Sequence, residues 1–560
     1  MNNFISRRGF LRLLSAGGAA ALSGVLSGCI VQPGRSRAPN MGDPAARGPS
    51  KDFLPDLEID LRATAASASI LPGKPTAVWT YQGSLIKGDA SSLAILQDNY
   101  LGPIIRAKKG QRVRITFKNE LPADQPSIVH WHGLRLPEEM DGHPRYAIQP
   151  GQSYVYEFEV IDRAGPYWFH PHPHGQTAQQ VYNGLAGLFI VSDEEEAAAG
   201  LPAGEFDVPL VIQDRTFDAD NQFVYSIAAS GMMGGGMMNH SMPGMGNSAA
   251  TPGSGNMMDG GMQTMMGMLG SQMLVNGKPN FTLPVATRAY RLRLWNGSNA
   301  RIYKLGWSTG QPIVVLGADG GLLEKPVAKP YVMLAPGERV EIWADFRAVK
   351  TGTEITMESL PFEGAEDPSG MMSGNAPPQG APLTLFRVKV ERSESETRTL
   401  PATLSAIARL RQEDTVNASN PRQMALTLNG MQWLMNGRPF EMEAVLPEET
   451  VKLGSTEVWE IVNKLNPGQM MDANGMAHPI HIHGVHFQVL SREVLPQLKA
   501  GWDSVREGLV DEGWKDTVLV MPGERVKLAM KFERYSGTFV YHCHNLEHEN
   551  NGMMRNYRVT

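Results

Sequence analysis

The sequence contains almost no cysteine. Two residues in 560, Cys29 and Cys543, exclude a disulfide framework. It has no positive excess either: 51 Lys and Arg against 57 Asp and Glu give a net charge of −6, which removes the electrostatic case for a nucleic-acid binder. Beyond the N-terminus no apolar run is long enough to span a bilayer. Helical periodicity is scarce, which points away from a helical fold. With 42% hydrophobic and 19% charged residues, the chain is a well-packed soluble protein rather than a disordered one. Its length suggests three domains of about 150–180 residues.

The N-terminus carries an address. Ser6-Arg7-Arg8-Gly9-Phe10-Leu11 precedes an apolar, small-residue stretch from Leu13 to Gly28, the layout of a twin-arginine signal that exports folded proteins. The stretch ends in Leu26-Ser27-Gly28-Cys29, which is similar to a lipoprotein cleavage box. The expectation is a signal over residues 1–28 and a flexible linker over 29–52. The protein is then expected in the periplasm, with a lipid on Cys29 as its one membrane contact, and a monomer is expected. Cys543 is then a lone thiol in an oxidising compartment, so burial or metal ligation is expected of it.

Short alternating runs are frequent. Val113-Arg114-Ile115-Thr116-Phe117, Tyr290-Arg291-Leu292-Arg293-Leu294 and Val340-Glu341-Ile342-Trp343 read as half-buried strands. Pro336-Gly337-Glu338-Arg339-Val340 recurs as Pro522-Gly523-Glu524-Arg525-Val526, a turn feeding a strand, as in repeated Greek-key sandwiches. A second repeat joins the two ends of the chain. Gly165-Pro166-Tyr167-Trp168-Phe169-His170-Pro171-His172 matches Gly537-Thr538-Phe539-Val540-Tyr541-His542-Cys543-His544, and His130-Trp131-His132-Gly133 matches His481-Ile482-His483-Gly484. The fold expected is all-β: sandwiches over 53–195, 196–392 and 393–560, with polar linkers at Asp193–Glu196 and Glu391–Ser395. The first and third are copies of one unit, and the middle one keeps only His240.

Eight of the fourteen histidines fall in these repeated blocks, and His478 and His548 stand close beside them. Side chains at i and i+2 of a strand share a face, so each His-x-His pair presents two imidazoles to one side. Four pairs make eight convergent imidazoles, which call for cations of the Cu, Zn, Fe or Ni kind. The third-domain copy adds Cys543 between His542 and His544, with His548 five residues on, Met553 ten on, and His478 three before His481. One thiolate, two imidazoles and a thioether make a blue-copper electron-transfer set. The matching positions of the first copy are Pro171, Gln176, Val181 and Ser127, so that set is built once.

His-Trp-His-Gly, Trp-x-His-x-His, His-x-x-His-x-His-Gly and His-Cys-His-x-x-x-His-x-x-x-x-Met, in this order, resemble the four copper-binding motifs of three-domain multicopper oxidases, nearest the bacterial copper-efflux and laccase-like group. The resemblance implies three consecutive cupredoxin-like domains and four copper ions. It places the type 1 copper on His478, Cys543, His548 and Met553 and the type 2 copper on His130 and His481. The type 3 pair falls to His132, His170, His172, His483, His542 and His544. The activity implied is one-electron oxidation of a reductant at type 1, coupled to reduction of dioxygen to two waters. Asp141, nine residues after His132, and Glu549, next to His548, match acidic positions that supply protons in the copper-efflux members. His143, His174, His240 and His486 have no ligand role in this pattern.

Residues 231–268 hold twelve methionines, among them Met237, Met238, Met242 and Met245, in a glycine-rich setting that cannot fold alone. Soft thioethers select Cu(I), so the segment reads as a cuprous-ion collector. Similar insertions in the copper-efflux oxidases lie in the third domain, whereas this one falls in the second. Met476 matches a methionine that contacts substrate copper in those enzymes. The acid expected two positions before it is Asn474, with Asp472 nearby. Cu(I) is therefore the leading reductant, with laccase-like phenol oxidation beside it. A laccase or bilirubin-oxidase-like enzyme for organic phenols is the alternative. Oxidation of Mn(II) or Fe(II) ranks lower because carboxylates near His478 are sparse.

Overall fold

The computed structural model describes residues 48–96, 98–225, 265–366, 376–430, 432–465 and 475–560. The leader, Cys29, His240, Met237, Met238, Met242, Met245 and Asp472 lie outside the described residues.

The described residues fold into six sheets that pair as three sandwiches. In the first, a four-stranded sheet is ordered Thr76–Lys87, Leu57–Ala68, Arg112–Glu120, Ser153–Glu159. It faces a five-stranded sheet ordered Leu93–Ala94, Ile104–Lys108, Gly187–Ser192, Gly165–Pro171, Val129–His130. Val113, Ile115 and Phe117 turn inward from Arg112–Glu120 as their alternation requires, and pack against Phe169 and Phe189 of the opposite sheet. Burying each such side chain stabilises the fold by about 1.5–3 kcal/mol. The second sandwich, between residues 207 and 392, joins a seven-stranded to a five-stranded sheet, and the third, between 422 and 559, joins two of five strands.

One device recurs in all three. The strands Leu57–Ala68 and Arg112–Glu120 run parallel, as do Asp207–Arg215 with Ala289–Asn296 and Arg422–Asn429 with Thr456–Asn463. The facing sheets carry their own parallel pairs. Parallel neighbours cannot be joined by a tight hairpin, so the chain crosses between sheets, as a Greek key does.

The duplication of the first and third sandwiches extends to register. His130 stands opposite His170 on antiparallel neighbours, and His481 stands opposite His542 in the same way. Strand alternation accounts for the pairs less completely than expected. His130, His170, His481 and His542 lie in strands, but their partners His132, His172, His483 and His544 follow the strand ends.

Two local expectations need correction. The strands Ala289–Asn296 and Arg339–Asp345 are buried on both faces rather than half-buried. Their charged positions survive inside because they are paired: Arg293 reaches Asp207 at 2.7 Å and Glu196 at 3.0 Å, and Arg291 reaches Glu341 and Glu196. The run at Asp193–Glu196 is also more than a polar linker. Glu194–Ala198 is a short helix, capped by the Asp193 carboxylate accepting from the Glu196 N–H.

Candidate metal centre

Eight histidines meet between the first and third sandwiches, and all are buried. In six of them the outer nitrogen is fixed by a hydrogen bond. His130 Nδ1 meets the Asp141 carbonyl at 2.6 Å, His481 Nδ1 the Asp516 carbonyl at 2.8 Å, His170 Nδ1 the Pro171 carbonyl at 2.9 Å, and His542 Nδ1 the Cys543 carbonyl at 3.1 Å. A carbonyl only accepts, so each of these nitrogens carries its proton and leaves the other ring nitrogen bare. His483 Nδ1 donates to Asp141 Oδ2 at 2.7 Å and His132 Nε2 to Asp516 Oδ1 at 3.1 Å, with the same consequence.

The bare nitrogens face one another. His130 Nε2 lies 3.3 Å from His481 Nε2, His483 Nε2 lies 3.1 Å from His542 Nε2, and His132 Nδ1 lies 3.4 Å from His170 Nε2. His172 Nε2 is 3.3 Å from His542 Nε2. Lone pairs at this spacing repel unless a cation sits between them. Two imidazole nitrogens at about 2.0–2.1 Å from one tetrahedral ion stand roughly 3.3 Å apart, so the spacing fits a shared metal. Burial, with neighbouring imidazoles adding to it, pushes the pKa of His130, His172, His483 and His544 down, which keeps the rings neutral and able to ligate. Among the described residues neither nitrogen of His544 has a hydrogen-bond partner.

The second cluster is small. Cys543 Sγ lies 3.5 Å from His478 Nδ1 and 3.6 Å from His548 Nδ1. His548 Nε2 donates to the Met265 carbonyl at 2.7 Å, so its Nδ1 is bare toward the sulfur. Met553 is tied in through its backbone: its N–H donates to the His548 carbonyl at 2.9 Å and its carbonyl accepts from the Cys543 N–H at 3.0 Å. Sulfur and thioether belong to one buried apolar cluster, which also contains Met265 and Met476. Burial pushes the Cys543 thiol far up, so it ionises only where a cation replaces its proton. Soft sulfur with two imidazoles is a copper donor set.

Besides Asp516, two more carboxylates reach the histidine cluster. Asp141 holds His130 with its carbonyl and His483 with its carboxylate, and those rings stack at 3.7 Å. Burial pushes its carboxyl up. Glu549 Oε2 is 3.2 Å from His542 Nδ1 and its Oε1 is 3.7 Å from His172 Nε2. Burial would raise this carboxyl, but the His172 and His542 imidazoles override it and hold it below the usual range.

Asp516, Thr517, Arg339 and Met265 were not singled out from the sequence. Thr517 stands opposite His481 across paired strands, and its hydroxyl lies 3.1 Å from His132 Nε2 and 3.2 Å from His481 Nδ1. The one available signal was Lys515-Asp516-Thr517 opening the strand Thr517–Val520. The remaining described histidines have other partners: His143 Nε2 meets Asn556 Oδ1 at 2.9 Å, His486 Nε2 donates to the Gly133 carbonyl at 2.7 Å, and His174 packs on Phe440.

Comparison with known proteins agrees with this chemistry. Two multicopper oxidase family models match residues 72–196 and 409–560. The multicopper oxidase mco of Staphylococcus aureus is 30% identical over 474 residues, 85% of each chain. A laccase of Bacillus stratosphericus is 31% identical over 519 residues, 86% of this chain and 90% of that one. The crystal structure of McoA multicopper oxidase from Aquifex aeolicus superposes with a TM-score of 0.70 at 31% identity, covering 91% of this chain and 97% of that one. The chain therefore belongs to the multicopper oxidases: it is a copper-dependent oxidoreductase that uses dioxygen, built from three consecutive cupredoxin-like β-sandwiches.

Proposed function

We propose that this oxidase takes its electrons from Cu(I), oxidising it to Cu(II) in copper tolerance, and that phenols are secondary reductants. One observation carries the reading: the end of the methionine segment is seated on the sulfur site. The Met265 carbonyl accepts from His548 Nε2 and, at 3.0 Å, from the Trp433 indole N–H. Met268 N–H donates to Glu547 Oε2 at 3.0 Å. Met265 and Met268 are buried. Nine methionines between residues 231 and 264 thus lead in sequence to the backbone that holds His548. Soft thioethers favour Cu(I), and an insertion in the middle domain need not be remote from where electrons enter.

In this reading His478, Cys543, His548 and Met553 hold one copper ion, His130 and His481 a second, and His132, His170, His172, His483, His542 and His544 a pair. Bound copper supplies one-electron acceptance at the first set and four-electron reduction of dioxygen to water at the other. The chain links them covalently, because Cys543 lies between His542 and His544. Asp141, whose carboxyl burial pushes up, supplies protons, and Glu549, held ionised, passes protons on as a base, each being buried and in contact with a cluster imidazole. Met476, buried in the cluster that contains Cys543, is in this reading the thioether that meets substrate Cu(I). The twin-arginine leader supports export in the folded state to the periplasm, with Cys29 as a lipid anchor.

A cleft of about 570 Å³ favours organic phenols as the second reading. Phe362, Trp502, Met521 and Pro522 line it together with Glu366, whose carboxyl burial pushes up to about 7. Its wall residue Ala365 accepts from the Ala477 N–H at 2.9 Å, next to His478.

Deleting residues 231–264 while keeping Met265–Met268 separates the two. Oxygen consumption driven by Cu(I) is expected to fall by about ten-fold or more, the equivalent of about 1.4 kcal/mol, while phenol turnover is unchanged or higher. Equal Cu(I) turnover in the two proteins would remove the methionines from the reaction and leave the phenol reading.

A further inference from the structure

Among the described residues the middle sandwich contributes no histidine to the cluster, yet one of its turns reaches it. Gly337 sits at φ +83°, and a Cβ there would stand 3.0 Å from the His544 ring. Two residues on, Arg339 is fully buried and uses all five of its N–H donors. Nε donates to the Pro166 carbonyl of the first sandwich at 2.8 Å. One Nη donates to the Gly337 carbonyl at 2.9 Å and the other to the Asp319 carbonyl at 3.1 Å, both within the middle sandwich. The last two grip both oxygens of Asp516 in the third, one of them at 2.7 Å. One guanidinium thus ties all three domains together.

Asp516 is the link to the histidines. Its Oδ1 accepts from His132 Nε2 at 3.1 Å and its carbonyl from His481 Nδ1 at 2.8 Å. Those rings come from opposite ends of the chain and stack at 3.7 Å with 11° between their planes. The Thr517 hydroxyl, 2.8 Å from Asp516 Oδ1, closes the network. Gly133, directly after His132, makes room for it: at φ +88°, a Cβ would lie 2.5 Å from Asp516 Oδ2 and 2.6 Å from Arg339.

We propose that Arg339 is a positioning residue for oxygen reduction: by gripping both Asp516 oxygens it holds His132 and His481 stacked, with their inner nitrogens bare and turned toward the metal. The middle domain, with none of the clustered histidines among its described residues, completes the site. A bidentate fork with all five donors used fixes orientation in a way a lysine ammonium cannot. Partners of this kind set ligand tautomer and ring angle, and losing one costs about 10- to 100-fold in metal affinity or activity. The inference rests on the reading of His132 and His481 as copper ligands.

The experiment compares copper-loaded wild type with Arg339→Lys, Arg339→Met, His132→Ala and Arg291→Lys, the last altering a buried arginine away from the cluster. Three quantities are read in each: copper per chain, the type 2 paramagnetic resonance signal, and the rate at which the fully reduced protein is reoxidised by oxygen. The expected result is an altered type 2 signal and reoxidation slowed about 10- to 100-fold in Arg339→Met, with a smaller change in Arg339→Lys. The blue thiolate band stays intact, and Arg291→Lys matches wild type in all three. The proposal is overturned if both Arg339 variants keep the wild-type signal and rate, or if the blue band and type 2 signal decline together. Where Arg339→Met does not fold, Arg339→Lys alone decides by the same criteria. An unchanged copper count and signal in His132→Ala would instead overturn the ligand reading, and so tells the two failures apart.

Discussion

Replacing Cys543 with serine removes turnover with every reductant, Cu(I) and phenol alike, by at least about three orders of magnitude, the equivalent of about 4 kcal/mol of barrier. The size follows from chemistry rather than from misfolding. A serine hydroxyl at this position faces His478 Nδ1 and the bare His548 Nδ1, where sulfur now stands at 3.5 and 3.6 Å. It can donate to one of them, so the buried polar group is not left unpaired and the fold is retained. What it cannot do is give a soft, ionised sulfur to a copper ion or pass an electron onto the strand between His542 and His544. The variant is expected to lose the blue band and one copper ion per chain, with the histidine cluster still loaded. Stopped-flow reduction and a copper assay check this, and more than a tenth of wild-type turnover would contradict it.

Neutralising Asp141 and Glu549 together, as Asp141→Asn with Glu549→Gln, is expected to slow oxygen reduction by about 100-fold or more, the usual scale of a lost proton donor. Both substitutions keep shape and hydrogen bonding. The amide oxygen introduced by Asp141→Asn can still accept from His483 Nδ1, and the bond to His130 comes from the main chain at that position. Ring positions, copper content and blue-band reduction should therefore match wild type while reoxidation by oxygen slows. Loss of copper in the double variant would mean that the carboxylates act on ligand geometry, and unchanged reoxidation would mean that protons arrive by another route.

Most of the site was legible because metal ligation needs particular side chains at particular spacings. The four His-x-His blocks and the Cys543–His548 pair named side chains that the structure gathers into two buried clusters, and the duplicated phrases named the two copies whose register the structure matches at His130–His170 and His481–His542. Residues that act through the main chain were not legible. Met265 holds His548 with a carbonyl, which any residue possesses, across 283 positions of sequence. Asp516 likewise holds His481 by its carbonyl, and Arg339 reaches Asp516 from 177 positions away. Alternation placed the strand Ala289–Asn296 but misjudged its burial, because Arg291 and Arg293 look solvent-facing until Glu196, Asp207 and Glu341 close over them. The outward charge pattern of a half-exposed strand and of a fully ion-paired one is the same in sequence.

The most direct measurement is the copper content of the purified, fully loaded chain, taken with its blue thiolate absorption. Four ions per chain with a full blue band is the result expected of one thiolate set beside eight convergent imidazoles. One ion per chain, or a colourless protein, would contradict the joint assembly of an electron-accepting site and an oxygen-reducing cluster on this fold.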